Sequence, residues 1–130
     1  LEVLPGSHLG PLHSLWHNGV FTGTVDDGIA NKAASSSELC LGPPDAVCLM
    51  HSRLLHASKA NKSVNPRTLF ISVYSACDAI PCSPNPMPNK YEGIIVRGKA
   101  TNCVRTTSYK MELPQPPTTA SFFDQQAKHS

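Results

Sequence analysis

The clearest hydrophobic pattern in the chain is an alternation over residues 68–75. Leu69, Ile71 and Val73 fall on one face of an extended segment, and two aromatic residues fall on the other. Successive side chains of a strand point to opposite faces of its sheet, and large apolar groups on both faces are typical of a strand inside a sheet. Asn65-Pro66 separates this segment from the residues before it. The pattern therefore predicts a central strand at 68–75.

Shorter segments predict further strands. Residues 20–25 are rich in β-branched and aromatic side chains and follow Asn18-Gly19, a dipeptide typical of tight hairpin turns. Residues 38–41 and 46–50 lie on either side of Pro43-Pro44-Asp45, which predicts a hairpin. Two more strands are expected at 91–96 and 103–111.

One short helix is predicted at 50–60. Its apolar residues Met50, Leu54 and Ala57 recur at the spacing of one helix face, and Asn61 can end the helix. Residues 29–37 are small and polar, so we expect mostly loop there, although 30–34 can form one helical turn.

These elements predict a mainly β fold with one short helix, either a β-sandwich or a small barrel of about five or six strands. The element order is similar to that of the oligonucleotide/oligosaccharide-binding barrel, in which a helix lies between the third and fourth strands. The expected organisation is an irregular N-terminal arm at 1–18, a β-rich domain at 19–111 and an extended Pro-rich tail at 112–130.

The cysteines predict covalent cross-links in this fold. Cys40 and Cys48 bracket one turn, and Cys77 and Cys82 bracket another, so each pair can close a local disulfide. Cys103 is then unpaired or forms an intermolecular bond. The expectation is a disulfide-stapled domain in an extracellular or other oxidising compartment.

Charge and hydropathy argue against two kinds of partner, nucleic acid and the membrane interior. The formal net charge is +2 and only 15 % of residues are charged, which is too little basic surface for nucleic acid. No apolar stretch approaches the ~18 residues that a membrane span needs. The densest basic cluster is Lys59, Lys62 and Arg67. We interpret it as solvated side chains near the end of the predicted helix.

The sequence carries no recognisable catalytic signature. Cys40, Cys48, His51 and His56 are residue types that bind zinc, but their spacing does not match the usual finger patterns. No Gly-x-Ser-x-Gly nucleophile elbow or phosphate-binding glycine loop occurs. We therefore predict no catalytic residue, no metal and no cofactor, and favour a protein that is not an enzyme.

Four positions are candidates for modification or binding. Asn61 begins a glycosylation sequon, Asn61-Lys62-Ser63. Tyr74 and Tyr91 are expected at neighbouring strand ends beside the Pro-rich loop. There the two rings either cap the core under that loop or form a shallow platform for a sugar or peptide, with Arg97 as a polar anchor.

These features together predict a secreted or surface-exposed, non-enzymatic binding or structural module. Its expected partners are another protein or copies of itself, and its low charge suits subunit contacts. Two alternatives remain open at this point. One is a small secreted hydrolase that uses a histidine, and the other is a glycan-binding module of the oligosaccharide-binding barrel type.

Overall fold

A computed structural model describes residues 1–85, 87–106, 108, 110 and 112–116 of the chain. Regular structure is confined to its first half within this part, and the remainder is turn and irregular chain. The elements are β1 (Glu2–Val3), a 3₁₀ helix (Ser7–Leu9), β2 (Trp16–His17), β3 (Val20–Phe21), α1 (Asp27–Ala34), β4 (Glu38–Leu39) and β5 (His56–Ala57).

A three-stranded antiparallel sheet joins the start of the chain to two later segments. Strand β1 lies in the middle, in the order β4-β1-β5. Glu2 is opposite Leu39 on one side and Ala57 on the other. Further backbone bonds extend both edges, because Cys40 N–H donates to Leu1 O at 2.9 Å and Leu4 N–H donates to Leu55 O at 2.9 Å. This sheet brings residues near 56–59 beside the first residues of the chain.

A separate hairpin is built on the Asn-Gly turn. Trp16 pairs with Phe21 and His17 pairs with Val20. Asn18 and Gly19 have φ values of 50° and 78°, the left-handed conformation at both central positions that a two-residue hairpin turn requires. Asparagine and glycine are the residues that adopt it at least cost, which is why the chain reverses at this dipeptide.

Helix α1 begins at a side-chain cap. Asp26 accepts a hydrogen bond from Gly28 N–H at 2.8 Å, which satisfies one of the amides that a helix leaves unpaired at its N-terminus. The helix sequence contains three alanines, Ala30, Ala33 and Ala34, the residue with the highest helix propensity. Cap and composition together explain a helix in a segment that the hydrophobic pattern marks as loop.

The core of the described residues is small and lies at the hairpin. Phe21 is 6 % exposed and Thr22 is fully buried. The Thr22 hydroxyl donates to Leu15 O at 3.2 Å and lies 3.0 Å from the Thr24 hydroxyl. Buried polar groups of this kind are tolerated because they are hydrogen-bonded.

The prediction of a mainly β, disulfide-stapled fold is wrong. The strands present are two residues long, and most of the described chain is loop. The predicted central strand at 68–75 is irregular chain, with Phe70 90 % exposed. An apolar alternation forms a strand only where another strand supplies hydrogen-bond partners, and no described segment pairs with this one. All five cysteines are free and exposed.

The other predicted elements also differ from the structure. Residues 91–96 and the described part of 103–111 contain no strand, and residues 46–50 do not pair with 38–41. No helix forms at 50–60, because its backbone bonds elsewhere: Leu55 N–H donates to the Ser7 hydroxyl at 2.8 Å and His56 pairs with Val3. The division into arm, domain and tail stays a prediction, and residues 117–130 of the tail lie outside the described residues.

Over the part of the chain that the structure describes, no helix has the length and apolar character needed to cross a membrane.

Candidate functional site

Three cations come together beside the edge of the three-stranded sheet. Lys59, Lys62 and Arg67 line one cavity of about 280 Å³. The register of β5 against β1 places Lys59 near Glu2, and the irregular chain that follows β5 supplies Lys62 and Arg67. The other lining residues are Leu1, Glu2, Leu39, Ala60 and Asn61. We refer to this cavity as the cation pocket.

One of the three cations is already paired. Lys59 Nζ lies 2.8 Å from Glu2 Oε1, and the Glu2 side chain is only 19 % exposed. The hydrogen bond to Glu2, and then the attraction of its carboxylate, raise the pKa of Lys59 above its ordinary value of 10.5. Lys62 and Arg67 form no ion pair within the described residues. The pocket therefore keeps a positive balance that favours an anion.

A side-chain network shapes the loop that carries Lys62. Asn61 Nδ2 donates to Asn65 O at 2.7 Å, and Asn61 Oδ1 accepts from the Ser63 amide at 3.0 Å and from the Ser63 hydroxyl at 2.8 Å. Such bonds between a side chain and the nearby backbone are typical of asparagine turns. This turn bends the chain between Lys59 and Arg67, so that both line the same cavity.

Two histidines outside the lining of the cation pocket, His51 and His56, differ in which nitrogen of the neutral ring is free. His56 Nδ1 donates to Leu54 O at 2.7 Å, which leaves the Nε2 lone pair of the neutral ring able to accept a proton or bind a metal. His51 Nδ1 instead accepts from Arg53 N–H at 3.1 Å, so the proton of the neutral ring lies on Nε2. His56 is therefore the better placed of the two as a base or ligand.

Tyr74, Tyr91 and Arg97, the predicted ligand-binding residues, are exposed and do not line the cation pocket. Tyr74 is exposed and so is Tyr91, whose ring has Lys90 Nζ 5.0 Å from its centroid. Arg97 is exposed as well. Their role in ligand binding stays a prediction, as does glycosylation of Asn61. No disulfide joins Cys40 to Cys48 or Cys77 to Cys82, and Cys103 is exposed.

Sequence reasoning missed the pocket although it found its cations. The cluster of Lys59, Lys62 and Arg67 is visible in the sequence, but the sequence predicts solvated side chains near the end of a helix at 50–60. The strand pairing of residues 56–57 with 2–3 brings them together instead. Nothing in the local pattern signals that long-range contact.

Comparison with known proteins gives one informative similarity. The chain is 32 % identical over 122 residues to a protein of Stutzerimonas stutzeri named a probable alpha-ketoglutarate-dependent hypophosphite dioxygenase. The aligned region makes up 89 % of this chain and 42 % of the relative, so the chain spans less than half of that protein's length. No family model matches the chain, and no solved structure matches it.

This similarity corrects the functional prediction. The relative is named as an enzyme, so the prediction of a non-enzymatic binding or structural module is wrong. The two alternatives, a histidine hydrolase and a glycan-binding module, are not supported either. The relative is named for an oxidation, which is neither hydrolysis nor glycan binding. The description of the chain as a disulfide-bonded structural protein is also wrong, since the cysteines are free and the relative is named as an enzyme. No observation supports describing it as secreted or as a glycoprotein. The oxidising compartment stays a prediction that rests on cysteine content.

Proposed function

We propose that this chain takes part in an alpha-ketoglutarate-dependent oxidation and that its cation pocket holds alpha-ketoglutarate. The observation that carries the proposal is the 32 % identity, over 89 % of the chain, to a protein named for that cosubstrate. Because the chain spans 42 % of that relative, both the complete reaction and hypophosphite as substrate are part of the proposal.

The chemistry of the pocket supports this ligand. Alpha-ketoglutarate carries two carboxylates, and the pocket offers Arg67 and Lys62 with no ion pair of their own within the described residues. A guanidinium binds a carboxylate through two parallel hydrogen bonds, whereas an ammonium acts as a point charge. We assign Arg67 to one carboxylate and Lys62 to the other. The Lys59–Glu2 pair closes one side of the cavity.

The described residues do not supply the metal site that is common in non-haem iron oxygenases. Non-haem iron oxygenases commonly hold their metal by two histidines and one carboxylate. No three histidine, cysteine, aspartate or glutamate residues lie close enough to hold a metal ion within the described ranges. The described residues therefore do not fit a complete site of that kind, and we derive no step through a metal.

Alpha-ketoglutarate binding to the 130-residue chain tests the assignment of the pocket. We expect Arg67→Gln to weaken binding about tenfold or more, because it removes a charge-assisted bidentate contact. Isothermal titration calorimetry measures this directly. Arg97→Gln is the matched control, since Arg97 is an exposed arginine that does not line the pocket.

Two results would contradict the pocket assignment. One is the absence of alpha-ketoglutarate binding to the unaltered chain. The other is equal weakening by Arg97→Gln and Arg67→Gln, which would point to general surface charge. Binding should also weaken as salt is added, because the attraction between partly exposed charges is screened.

The predicted contact with a protein partner or with copies of the chain also stays open to test. Its support is the exposed apolar segment that includes Leu69, Phe70 and Val73, since contiguous exposed apolar surface marks interaction sites. Sedimentation velocity over a wide concentration range measures self-association. A single monomeric species throughout, combined with full solubility, would contradict self-association.

A further inference from the structure

A second cavity, of about 530 Å³, shares no lining residue with the cation pocket. Its volume is within the range of small-molecule sites. The residues that matter for its chemistry are Trp16, Cys82, Pro84, Glu112, Leu113 and Pro114. Its walls are mostly apolar, and Glu112 is the charged residue among the described residues that line it. We refer to it as the Trp16 cavity.

The aromatic wall of this cavity is held in place by the hairpin. Trp16 lies in β2, and its ring meets that of Phe21 edge-on, with centroids 5.6 Å apart at 66°. Phe21 is buried, so the contact anchors the indole against the small core. The indole Nε1 is buried without a hydrogen-bond partner within the described residues. The indole therefore offers a ligand its ring and not its N–H group.

The carboxylate is fixed close to this ring. The Ser14 hydroxyl donates to Glu112 Oε2 and accepts from the Trp16 backbone N–H at 3.2 Å. Ser14 thus connects the carboxylate to the backbone of the tryptophan and joins two segments that are 98 residues apart in the chain. A negative charge and an aromatic wall are the two groups that attract an organic cation.

We propose that the Trp16 cavity binds a small organic cation of the alkylammonium class. The aromatic ring attracts the cation through its quadrupole, the Glu112 carboxylate supplies the countercharge, and the prolines and Leu113 contact the alkyl groups. A carboxylate in a mostly apolar cavity disfavours anions, so alpha-ketoglutarate is not expected here. The proposal does not depend on the oxidation proposed above, because the two cavities have separate linings.

Intrinsic fluorescence tests the proposal directly, since Trp16 is the only tryptophan in the chain. Choline chloride is the probe, and its uncharged isostere 3,3-dimethylbutan-1-ol is the comparison, with ionic strength held constant by sodium chloride. We expect a saturable change in Trp16 emission with choline and none with the alcohol. Glu112→Gln should weaken choline binding about tenfold, whereas Glu92→Gln, a matched exposed carboxylate outside the cavity, should leave it unchanged.

A second measurement uses the unaltered chain, so that it does not rely on a variant folding. Cys82 lines the cavity, while Cys40 and Cys48 are exposed thiols outside it. Choline should slow alkylation of Cys82 by iodoacetamide and leave the rates at Cys40 and Cys48 unchanged, as measured by peptide mapping. The proposal is overturned if the uncharged alcohol acts as strongly as choline, if Glu112→Gln binds as the parent does, or if Cys82 is not protected.

Discussion

The ion pair between Lys59 and Glu2 determines which cations of the pocket remain without an acidic partner. Lys59 satisfies the partly buried Glu2 carboxylate, which would otherwise compete with a ligand for Lys62 and Arg67. An exposed ion pair contributes little to stability. Its effect here is on the pocket, because it leaves Lys62 and Arg67 as lining cations without an ion pair among the described residues.

The raised pKa of Lys59 gives a pH dependence with a definite sign. A lysine whose folded-state pKa lies above its ordinary value stabilises the fold fully at lower pH and loses that contribution as the pH rises through the folded-state pKa. We therefore expect the Lys59–Glu2 contact to persist through neutral and mildly alkaline solution and to be lost only above pH 10.5. A titration followed by NMR of the Lys59 side chain measures this. Titration of Lys59 below 10.5 would contradict the contact.

Single residues show what the sequence can and cannot predict about the site. The residue types of the basic cluster are plain in the sequence, and so is their lack of a nearby acidic run. Their common cavity is not, because Glu2 and Lys59 meet only through a sheet contact between segments over fifty residues apart. The contact between Ser14 and Glu112 beside the Trp16 cavity is equally hidden in the sequence, because the two residues are 98 positions apart.

The β2–β3 hairpin and helix α1 are the elements that short stretches of sequence explain best, because neither depends on contacts with distant segments. The hairpin forms where Asn18-Gly19 supplies the backbone conformation of the turn. Helix α1 forms where Asp26 supplies the cap. By contrast, the predicted strand at 68–75 has a suitable alternation but no paired strand among the described residues, and a strand without a partner leaves its backbone groups to solvent.

Replacing the turn glycine should weaken the hairpin. Gly19 has φ 78° and open space around its α-carbon, so Gly19→Ala introduces backbone strain and no clash, at a cost of about 1 kcal/mol. The cross-strand contacts of β2 with β3, measured by NMR, should be reduced. Gly19→Asn is the matched control, since asparagine tolerates this conformation. An unchanged hairpin in Gly19→Ala would contradict the assigned turn.

Removing the cap should loosen helix α1. Asp26→Ala deletes the acceptor for Gly28 N–H and should cost the helix about 1 kcal/mol. The expected result is faster hydrogen exchange of the Gly28 amide and less helical circular dichroism. Asp26→Asn keeps a capping oxygen and should behave nearly as the parent. If alanine and asparagine variants exchange equally fast, the cap does not hold the helix.

At the scale of the whole molecule, the described residues bury little apolar surface. The buried residues are Phe21 and Thr22, whereas large apolar side chains such as Leu49, Phe70 and Val73 are exposed. Hydrophobic burial is the main favourable contribution to folding, so the described arrangement has a small stabilising core. A ligand that binds only the folded state stabilises it by an amount that grows with the logarithm of the ligand concentration divided by Kd. The ligands proposed for the two cavities are therefore expected to raise Tm.

The measurement that tests the central claim most directly is an NMR titration of the cation pocket with alpha-ketoglutarate. The side-chain resonances of Lys62 and Arg67 are followed as the ligand is added, with Arg97 as the reference outside the pocket. We predict a saturable shift at Lys62 that Arg67→Gln greatly reduces and that Arg97→Gln leaves unchanged. No saturable shift at Lys62, or an equal shift at Arg97, would contradict the proposed function.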